Sequence, residues 1–412
     1  MGSIDIIGIG AINLDLIFSS KKSDIRDKKA SFDNGEESFV KKHVFDEREI
    51  NTKSYSEFLQ AQVGGSALLA VRTVKSMCSQ LTTAYVGVYG NIPPSIKKTD
   101  LPQTPEELKE TLDSFIDDDS WLFFDEKQDT GCALVKMHKN QRQFINILPG
   151  ANNSLYSNIT EKGVESFIAF LASAKWIHMT SLKDVFQFKQ IANCVKEAKA
   201  KNPSLTVSID PGYDYTKNHW KTLKEILPIA DFVFLSRSEL ANISLNQGLS
   251  MRVKALDLGT ELINIKANPQ IIIVKNTSKT ILLSLIDNTP YKRTYYHKKL
   301  AYTKVLNDTG AGDAFAGGFI VGKLSPMILS HQPAPIELAA IAARERLKSI
   351  GWPTELKKRT FEYFSSNMRN EKINEKQFLK IRLDFLKHPI IDFMLGLIVG
   401  IISNIIYNKY FL

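Results

Sequence analysis

The residues best suited to chemistry in this 412-residue chain lie in one stretch, LNDTGAGDAFAGGF, Leu306 to Phe319. Three small residues, Gly310 to Gly312, stand directly before Asp313, and the sequence that follows predicts a helix. Glycine allows backbone conformations that other residues resist, and the first-turn N–H groups of a helix have no partner within it. Because the helix dipole adds positive potential, the stretch predicts a binding site for an anion, typically phosphate. A carboxylate fixed beside that phosphate can take the proton of an attacking hydroxyl. The alternative is a helix that begins after a flexible turn, with Asp313 only offsetting the dipole.

The elements that must position this stretch alternate between strand and helix along most of the chain. This succession predicts an α/β fold with a mostly parallel sheet and helices on both faces. Ligands of such sheets bind outside the carboxyl ends of the strands, and four polar residues follow predicted strand ends: Asn13, Asp15, Asp210 and Ser236. For Asn13, Asp15 and Asp210, turns closed by side-chain hydrogen bonds are the alternative.

The net charge of +9 and the pI near 9.1 come from separate basic patches, without zinc-finger spacing or an RNA-binding aromatic motif. We therefore expect no nucleic-acid partner. The three cysteines are far apart and form no metal motif, which favours buried thiols in a reducing compartment. The N-terminus has no basic segment ahead of its apolar run, so we expect a cytoplasmic protein.

Two further glycine patterns lack the context that their chemistry requires. GIGAIN begins like a dinucleotide fingerprint but has Asn13 at the third glycine position. GGFIVGKL, from Gly317 to Leu324, has the spacing of a phosphate-binding loop but lies inside a helical pattern and ends in Leu. Both are predicted to be packing glycines.

The stretch DTGAGDAFAGGF resembles the C-terminal signature of the ribokinase-like (PfkB) family of carbohydrate and nucleoside kinases. Four other segments match that family in its order: GIGAINLD, VGGSALLAV, FINILPGANNSL and ADFVFLSRSE. The resemblance covers about residues 4–352. We therefore expect residues 1–352 to form one kinase domain. It implies a three-layer α/β/α domain with a small β lid, built from segments within about 16–60 and 131–148.

The resemblance also implies transfer of the ATP γ-phosphoryl group to a hydroxyl of a sugar or nucleoside. Asp313 would be the general base, and the amides of Gly310, Ala311 and Gly312 would form the anion hole. On the acceptor side the implied contacts are Asn13, Asp15, Gly64, Gly65 and Asn152. Gly64 and Gly65 suit a simple turn before a helix equally well. On the nucleotide side the implied residues are Ser236, Glu239, Lys275, Thr277 and Thr280, with Glu239 as an indirect contact to Mg²⁺.

Several positions depart from the family pattern. Ser236 replaces an Asn, Thr277 and Thr280 replace glycines, and Leu69 replaces an Asn that often touches the sugar. Asn307 replaces an Asp that many relatives use near a monovalent-cation site. These changes leave open how tightly the chain binds a nucleotide and whether it uses a monovalent cation. Leu69 favours a nucleoside or modified sugar over a free pentose as the acceptor. A second hypothesis follows, namely a catalytically weak relative that acts as a ligand-binding or membrane-recruited module.

The family does not account for the last sixty residues. Residues 353–388 are charged and predict a helical linker, whereas residues 389–412 are largely apolar. About nineteen residues from Ile390 give about 28 Å of helix, close to the thickness of a bilayer core. Since Lys and Arg are dense just before this run, we expect a C-terminal membrane anchor with the kinase domain in the cytoplasm. The alternative is a helix buried against the domain or a partner, and analogy with the family suggests a homodimer.

Overall fold

The fold was analysed in a computed structural model, which describes residues 3–19, 36–39, 57–94, 100–138, 141–246, 271–275, 279–286, 289–296, 305–324, 335–349, 352, 353, 356 and 360. The chain divides into two compact units, Met1–Lys357 and Lys358–Leu412. The first unit carries all the helices and strands named below. The predicted linker, apart from isolated residues, and the whole apolar tail (389–412) lie outside the described residues.

The structure describes fourteen strands, and many of them are short runs of apolar, often β-branched residues, as in IDIIGI at residues 4–9. In chain order they are β1 Ile4–Ile9, β2 Asn13–Ser19, β3 Glu36–Phe39, β4 Glu57–Gly64, β5 Thr83–Asn91, β6 Leu122–Asp129, β7 Gly131–His138, β8 Gln141–Leu148, β9 Ala174–Thr180, β10 Thr206–Asp210, β11 Phe232–Ser236, β12 Ile271–Lys275, β13 Lys279–Ile286 and β14 Thr289–Tyr296.

The α-helices bury apolar residues against the sheet or against neighbouring helices. They are α1 Ser66–Met77, α2 Pro105–Asp113, α3 Leu155–Lys162, α4 Val164–Ala172, α5 Val185–Lys201, α6 Gly212–Asn218, α7 Trp220–Ile226, α8 Arg237–Asn246, α9 Ala311–Leu324 and α10 Pro335–Leu347.

Nine of the described strands form one sheet in the order β14-β13-β12-β11-β10-β9-β1-β5-β6. Every neighbouring pair from β12 across to β6 is parallel, and β13 and β14 add an antiparallel edge. The predicted α/β fold with a mostly parallel sheet is therefore confirmed. As expected for parallel strands, Asp210, Ser236 and Lys275 end three adjacent strands at the same edge of the sheet.

Helices cover both faces of this sheet. On one face, Ile7 of β1 belongs to a core cluster with Phe167 of α4 and Phe188 of α5. On the other face, a Cβ added to Gly8 would lie 2.5 Å from Val71 Cγ2 of α1, so the helix packs directly on the strand. Phe319 of α9 packs on this second face against Trp176 and Phe232.

A second sheet holds the other five strands in the order β3-β8-β7-β2-β4. The antiparallel pairing of β7 with β8 confirms the hairpin predicted for residues 131–148. The chain passes from β1 in the large sheet to β2 in this one within residues 10–12. The two sheets therefore meet at the carboxyl end of β1.

Glycines bring α9 into backbone contact with its two neighbouring helices. A Cβ on Gly317 would lie 2.5 Å from the Ala70 carbonyl oxygen of α1, and one on Gly318 would lie 2.7 Å from the Leu338 carbonyl oxygen of α10. The structure thus confirms that GGFIVGKL is a packing segment within a helix. Within the described residues, no helix has both the length and the apolar character needed to cross a membrane.

Candidate active site

Asn13 and Asp15 lie on β2, so the alternative that they close a turn does not hold. Residues two apart on a strand face the same side, and both of these side chains are buried. The alternation of Asn13 and Asp15 with Leu14 and Leu16 is the sequence signal that predicts such a strand. β2 therefore presents an amide and a carboxylate side by side.

Gly64 and Gly65 make room for these two groups. Gly64 pairs with Asn13 across the two strands, and a Cβ added to it would lie 2.1 Å from Asp15 Oδ2. Gly65 has φ 117°, and its Cβ would lie 2.0 Å from the Ala11 carbonyl oxygen. Any side chain at either position would displace the Asp15 carboxylate or the backbone before β2.

Asn152 holds the start of β2 in place. Its Oδ1 accepts the Ile12 N–H at 2.8 Å, and its Nδ2 donates to the Ile12 carbonyl at 3.0 Å and to Asn13 Oδ1 at 3.1 Å. Nδ2 also donates to the Pro149 carbonyl at 2.8 Å. With its amide used in this way, Asn152 orients Asn13.

A hydrogen bond from the Asn307 side chain and a glycine in the left-handed backbone conformation shape the loop before α9. Asn307 Oδ1 accepts the Thr309 N–H at 2.8 Å, and Gly310 has φ 78°. The Ala311 N–H donates to the Asp308 carbonyl at 3.3 Å, so one of the three predicted anion-hole amides already has a partner. Asp313 is the third residue of α9, in its first turn.

One cleft of about 110 Å³ brings the two sets of residues together. The acceptor-side residues Asn13, Asp15 and Gly65 and the catalytic-side residues Gly310 and Asp313 all line it. The other lining residues are Ala11, Ser66, Leu69, Ala133, Val135, Ile147, Pro149, Asn152, Thr180, Ser181, Lys183, Asp210, Gly212 and Thr309. Gly64, Ala311, Gly312, Ser236, Glu239, Lys275 and Thr280 do not line it.

Arg346 of α10 is a buried charge beside this cleft that the sequence interpretation missed. Its Nη2 donates to Gln62 Oε1 at 3.0 Å, and Gln62 Nε2 donates to Asp15 Oδ2 at 3.3 Å. Its Nε would lie 3.3 Å from a Cβ added to Gly310. Burial lowers the pKa of Arg346, although the charges of Asp15, Asp313 and Asp308 oppose that shift. This guanidinium therefore connects the acceptor-side carboxylate with the loop before α9.

A second cation, the half-buried Lys275 at the end of β12, lies beside the first turn of α9. Lys275 Nζ donates to Asp210 Oδ2 at 2.5 Å, and it would lie 3.3 Å from a Cβ added to Gly312. Burial and the charge of Asp210 raise the pKa of Glu239, against the opposing charge of Lys275. Lys275, Asp210 and Glu239 thus form one charged cluster at the carboxyl ends of β10, β11 and β12.

Ser236 and Glu239 form a capping box at the start of α8. The Ser236 N–H donates to Glu239 Oε2 at 2.6 Å, and the Glu239 N–H donates to Ser236 Oγ at 3.2 Å. Thr280 is fully buried on β13 opposite Lys275, whereas Thr277 lies outside the described residues. Lys275 Nζ, by contrast, lies beside Gly312 in the first turn of α9.

The described residues at this edge fit a divalent cation that is held mainly by a bound nucleotide. Among the described residues, no group of three or more Asp, Glu, His or Cys side chains could hold a metal ion by itself. Glu239 already accepts one backbone hydrogen bond. Mg²⁺ prefers a few carboxylates together with phosphate oxygens and water, so the residues present fit an ion held mainly by phosphates, with Glu239 nearby.

His178 belongs to the core beneath this edge. Its Nδ1 lies 2.8 Å from Ser208 Oγ, and burial lowers the pKa of His178 to about 4. The imidazole is therefore neutral near pH 7.

Known proteins share both the sequence pattern and the fold. A model of the pfkB family carbohydrate kinases matches residues 116–343. Adenosine kinase from Schizosaccharomyces pombe is 23% identical over 194 residues, which are 46% of this chain and 55% of that protein. The matched part of the chain thus spans about half the length of this relative.

Two solved structures extend the likeness over most of the fold. Adenosine kinase from Anopheles gambiae, in complex with P1,P4-di(adenosine-5) tetraphosphate, superposes with a TM-score of 0.68 at 18% identity. The match covers 86% of this chain and 98% of that one. A probable sugar kinase from Rhizobium etli gives a TM-score of 0.63 at 16% identity, with 88% and 99% covered. At such identities the structures show a shared fold.

The family model shows family membership, because it matches more than half of the 412 residues and includes the GAGD stretch. The chain belongs to the pfkB family of carbohydrate kinases, which are small-molecule kinases.

Proposed function

We propose that this protein transfers the γ-phosphoryl group of ATP to a hydroxyl of a sugar or nucleoside. The observation that carries the proposal is the single cleft lined both by Asp313 and Gly310 and by Asn13 and Asp15. An acceptor bound by β2 would face the carboxylate at the start of α9. Phosphoryl transfer depends mainly on such positioning and on neutralisation of charge.

The acceptor side combines polar and apolar walls. Asn13 and Asp15 offer hydrogen-bond partners for hydroxyl groups, whereas Leu69, Val135 and Ile147 offer an apolar surface. Such a wall suits the flat face of a base or a substituted sugar ring better than a free pentose, which exposes hydroxyls on all sides. The relatives named as adenosine kinases and as a probable sugar kinase support the same two substrate classes.

In the proposed reaction, Asp313 takes the proton of the acceptor hydroxyl as its oxygen attacks the γ-phosphorus. The bond from that phosphorus to the bridging oxygen breaks, and ADP leaves with the electron pair. The first turn of α9 stabilises the negative charge on the phosphoryl oxygens through the Gly312 amide and the helix dipole. Mg²⁺, when bound with the nucleotide near Glu239, would neutralise phosphate charge. A negative Asp313 is itself favoured at this end of the helix.

Replacement of Asp313 by Asn tests the assignment. The variant keeps the size of the side chain but cannot accept the proton, so kcat should fall by about 10²- to 10⁴-fold. Asp231→Asn is the matched control, because Asp231 lies before β11, at the amino end of the strands, and pairs with Lys199. The assay measures ADP release with a panel of sugars and nucleosides. Near-full activity of Asp313→Asn would refute the role of this carboxylate, and activity with a pentose alone would refute the acceptor preference.

Two observations favour the second candidate, a catalytically weak ligand-binding relative. The Ser236 hydroxyl is used in the capping box, and Thr280 is fully buried, so neither side chain faces the cleft. Calorimetry with ATP and Mg²⁺ separates the candidates. A measurable affinity supports the kinase, whereas acceptor binding without nucleotide binding supports the second candidate.

The apolar tail, the linker and the homodimer stay predictions. We keep the proposal that residues 389–412 attach a cytoplasmic kinase domain to a membrane, and it rests on the composition of the tail alone. At Asn307 the chain lacks the carboxylate that many relatives place near a monovalent-cation site. Asn307 uses its Oδ1 for the Thr309 N–H and carries no charge with which to attract a cation.

A further inference from the structure

Tyr85 of β5 is a fully buried tyrosine that the proposed reaction does not use. Glycines surround its ring on the large sheet. A Cβ added to Gly8 of β1 would lie 2.9 Å from Tyr85 Cδ2, and one added to Gly87 would lie 2.6 Å from Cε1. Because a side chain at either position would displace the ring, these glycines provide the space that the ring fills. The place of the Tyr85 hydroxyl is fixed by this packing.

The Tyr85 hydroxyl reaches the short connection between the two sheets, residues 10–12. It donates to the Ala11 carbonyl at 3.0 Å. The same carbonyl oxygen would lie 2.0 Å from a Cβ added to Gly65, so Gly65 and the hydroxyl confine it. Ala11 itself lines the cleft. The hydrogen bond therefore ties a wall of the cleft to a side chain of the large sheet.

The connection is held at each of its three residues. The Gly10 N–H donates to a carbonyl of β5 at 3.3 Å, and Asn152 bonds both backbone groups of Ile12. Tyr85 supplies the contact of the middle residue, Ala11. Since β2 begins directly after this connection, these contacts determine where the acceptor-side strand starts.

The hydroxyl also lies within the electrostatic reach of Asp313. Burial raises the pKa of Tyr85, and the negative charge of Asp313 raises it further. The phenol therefore stays protonated throughout the neutral pH range, and it remains a hydrogen-bond donor. Tyr85 thus lies near the start of β2 and near the carboxylate at the start of α9.

We propose that Tyr85 is a positioning residue whose hydroxyl, through the Ala11 carbonyl, sets the place of β2 relative to Asp313. The inference rests on the proposed function, because it takes Asp313 as the base and takes Asn13 and Asp15 on β2 as the acceptor contacts. Loss of the hydroxyl would leave the ring packed but would free the start of β2 to shift. Transfer reactions are sensitive to shifts of about 1 Å in the place of a reactant.

The test compares Tyr85→Phe, which removes only the hydroxyl, with Thr83→Val in the full-length protein. Thr83 is the matched control, because it is buried on the same strand and its hydroxyl donates to the Phe115 carbonyl at 2.8 Å, away from the cleft lining. Hydrogen exchange at residues 12–16 should be about 3- to 10-fold faster in Tyr85→Phe than in the wild type, the value of one hydrogen bond. Thr83→Val should exchange like the wild type there.

Kinetics with adenosine as the acceptor probe supply the second readout. Tyr85→Phe should raise the acceptor KM by about 3- to 10-fold and leave the KM for ATP within about twofold of the wild type. A purely structural role would lower the unfolding free energy and the active fraction without changing the acceptor KM. If the wild type acts on another member of the panel of sugars and nucleosides but not on adenosine, that member is the probe.

The outcomes separate the two proposals. An acceptor KM in Tyr85→Phe equal to that of the wild type refutes the positioning role and leaves the proposed kinase function standing. Equal exchange at residues 12–16 in Tyr85→Phe and the wild type refutes the role as well, and so does the same rise in acceptor KM in Thr83→Val. If the wild type phosphorylates no member of the panel, the proposed function fails, and the role of Tyr85 in it fails too.

Discussion

Replacement of Arg346 by Met tests whether a buried guanidinium joins the two halves of the cleft. The side chain is fully buried, and it donates to Gln62 Oε1 and, through Nη1, to the Ser349 carbonyl, each at 3.0 Å. Met has a similar length and no charge, so the substitution removes the donors with little loss of volume. We expect Arg346→Met to destabilise the fold and to weaken acceptor binding.

The expected magnitude follows from burial. Removal of one partner from a buried charge network costs about 3–5 kcal/mol, because the remaining charges lose their compensation. Here the acids left behind are Asp15, Asp308 and Asp313, whose charges all act on Arg346. By contrast, the pair of Lys199 and Asp231 is partly exposed, at 19% and 34%, and such pairs contribute about 1 kcal/mol or less. Lys199→Met is therefore the matched control.

The assay is urea unfolding of the full-length protein followed by tryptophan fluorescence, with acceptor KM and kcat measured on the same variants. Gln62→Leu breaks the link to Asp15 but leaves the charge of Arg346, so it should raise the acceptor KM with a smaller loss of stability. Arg346→Lys keeps a charge, so its unfolding free energy and its acceptor KM should lie between those of Arg346→Met and the wild type. Equal unfolding free energies for Arg346→Met and Lys199→Met would refute the reasoning, and so would an unchanged acceptor KM in both Arg346→Met and Gln62→Leu.

Three further predictions concern packing, pH and the tail. Gly317→Ala should lower the unfolding free energy by about 1–3 kcal/mol through overpacking against the Ala70 carbonyl, and an unfolding curve equal to the wild type would contradict the close approach. His178 should make the fold less stable below pH 6.5, because the unfolded chain binds a proton at its ordinary pKa of 6.5 whereas burial holds the folded pKa near 4. The unfolding free energy should fall by about 3 kcal/mol as the pH falls from 6.5 to 4. In urea unfolding, His178→Gln should reduce this dependence of the unfolding free energy on pH. An unchanged pH dependence in the variant would refute the role of His178. The full-length protein should stay with membranes after alkaline carbonate extraction, whereas a chain ending at His388 should not, and a full-length chain released by carbonate would refute the anchor.

Much of the fold was predictable because its signals are local. Alternating strand and helix patterns indicated the parallel sheet, and the GAGD stretch indicated a helix that begins after a left-handed glycine, as found at Gly310. Two local signals were missed. The alternation of NLDL marks a strand at Asn13, and Ser236 with Glu239 three residues later marks a capping box.

The charged framework around the cleft was less predictable, because its partners come from distant parts of the chain. Arg346 and Gln62 are 284 residues apart, and Lys275 and Asp210 are 65 apart. No sequence period relates such residues. The one hint is that Arg346 continues the buried stripe of α10 after Ala342, where a charge is costly unless it is paired.

The close packing of α9 has a consequence for motion during turnover. Gly317 and Gly318 set this helix against the backbones of α1 and α10, so the helix has little room to slide or rotate. In the proposed reaction, Asp313 in the first turn of α9 then stays fixed relative to the large sheet while reactants enter and leave. In the proposed reaction, a movement that closes the acceptor side over Asp313 would then involve the five-stranded sheet, which carries Asn13 and Asp15. Faster amide exchange in β2 than in α9 would report such a motion.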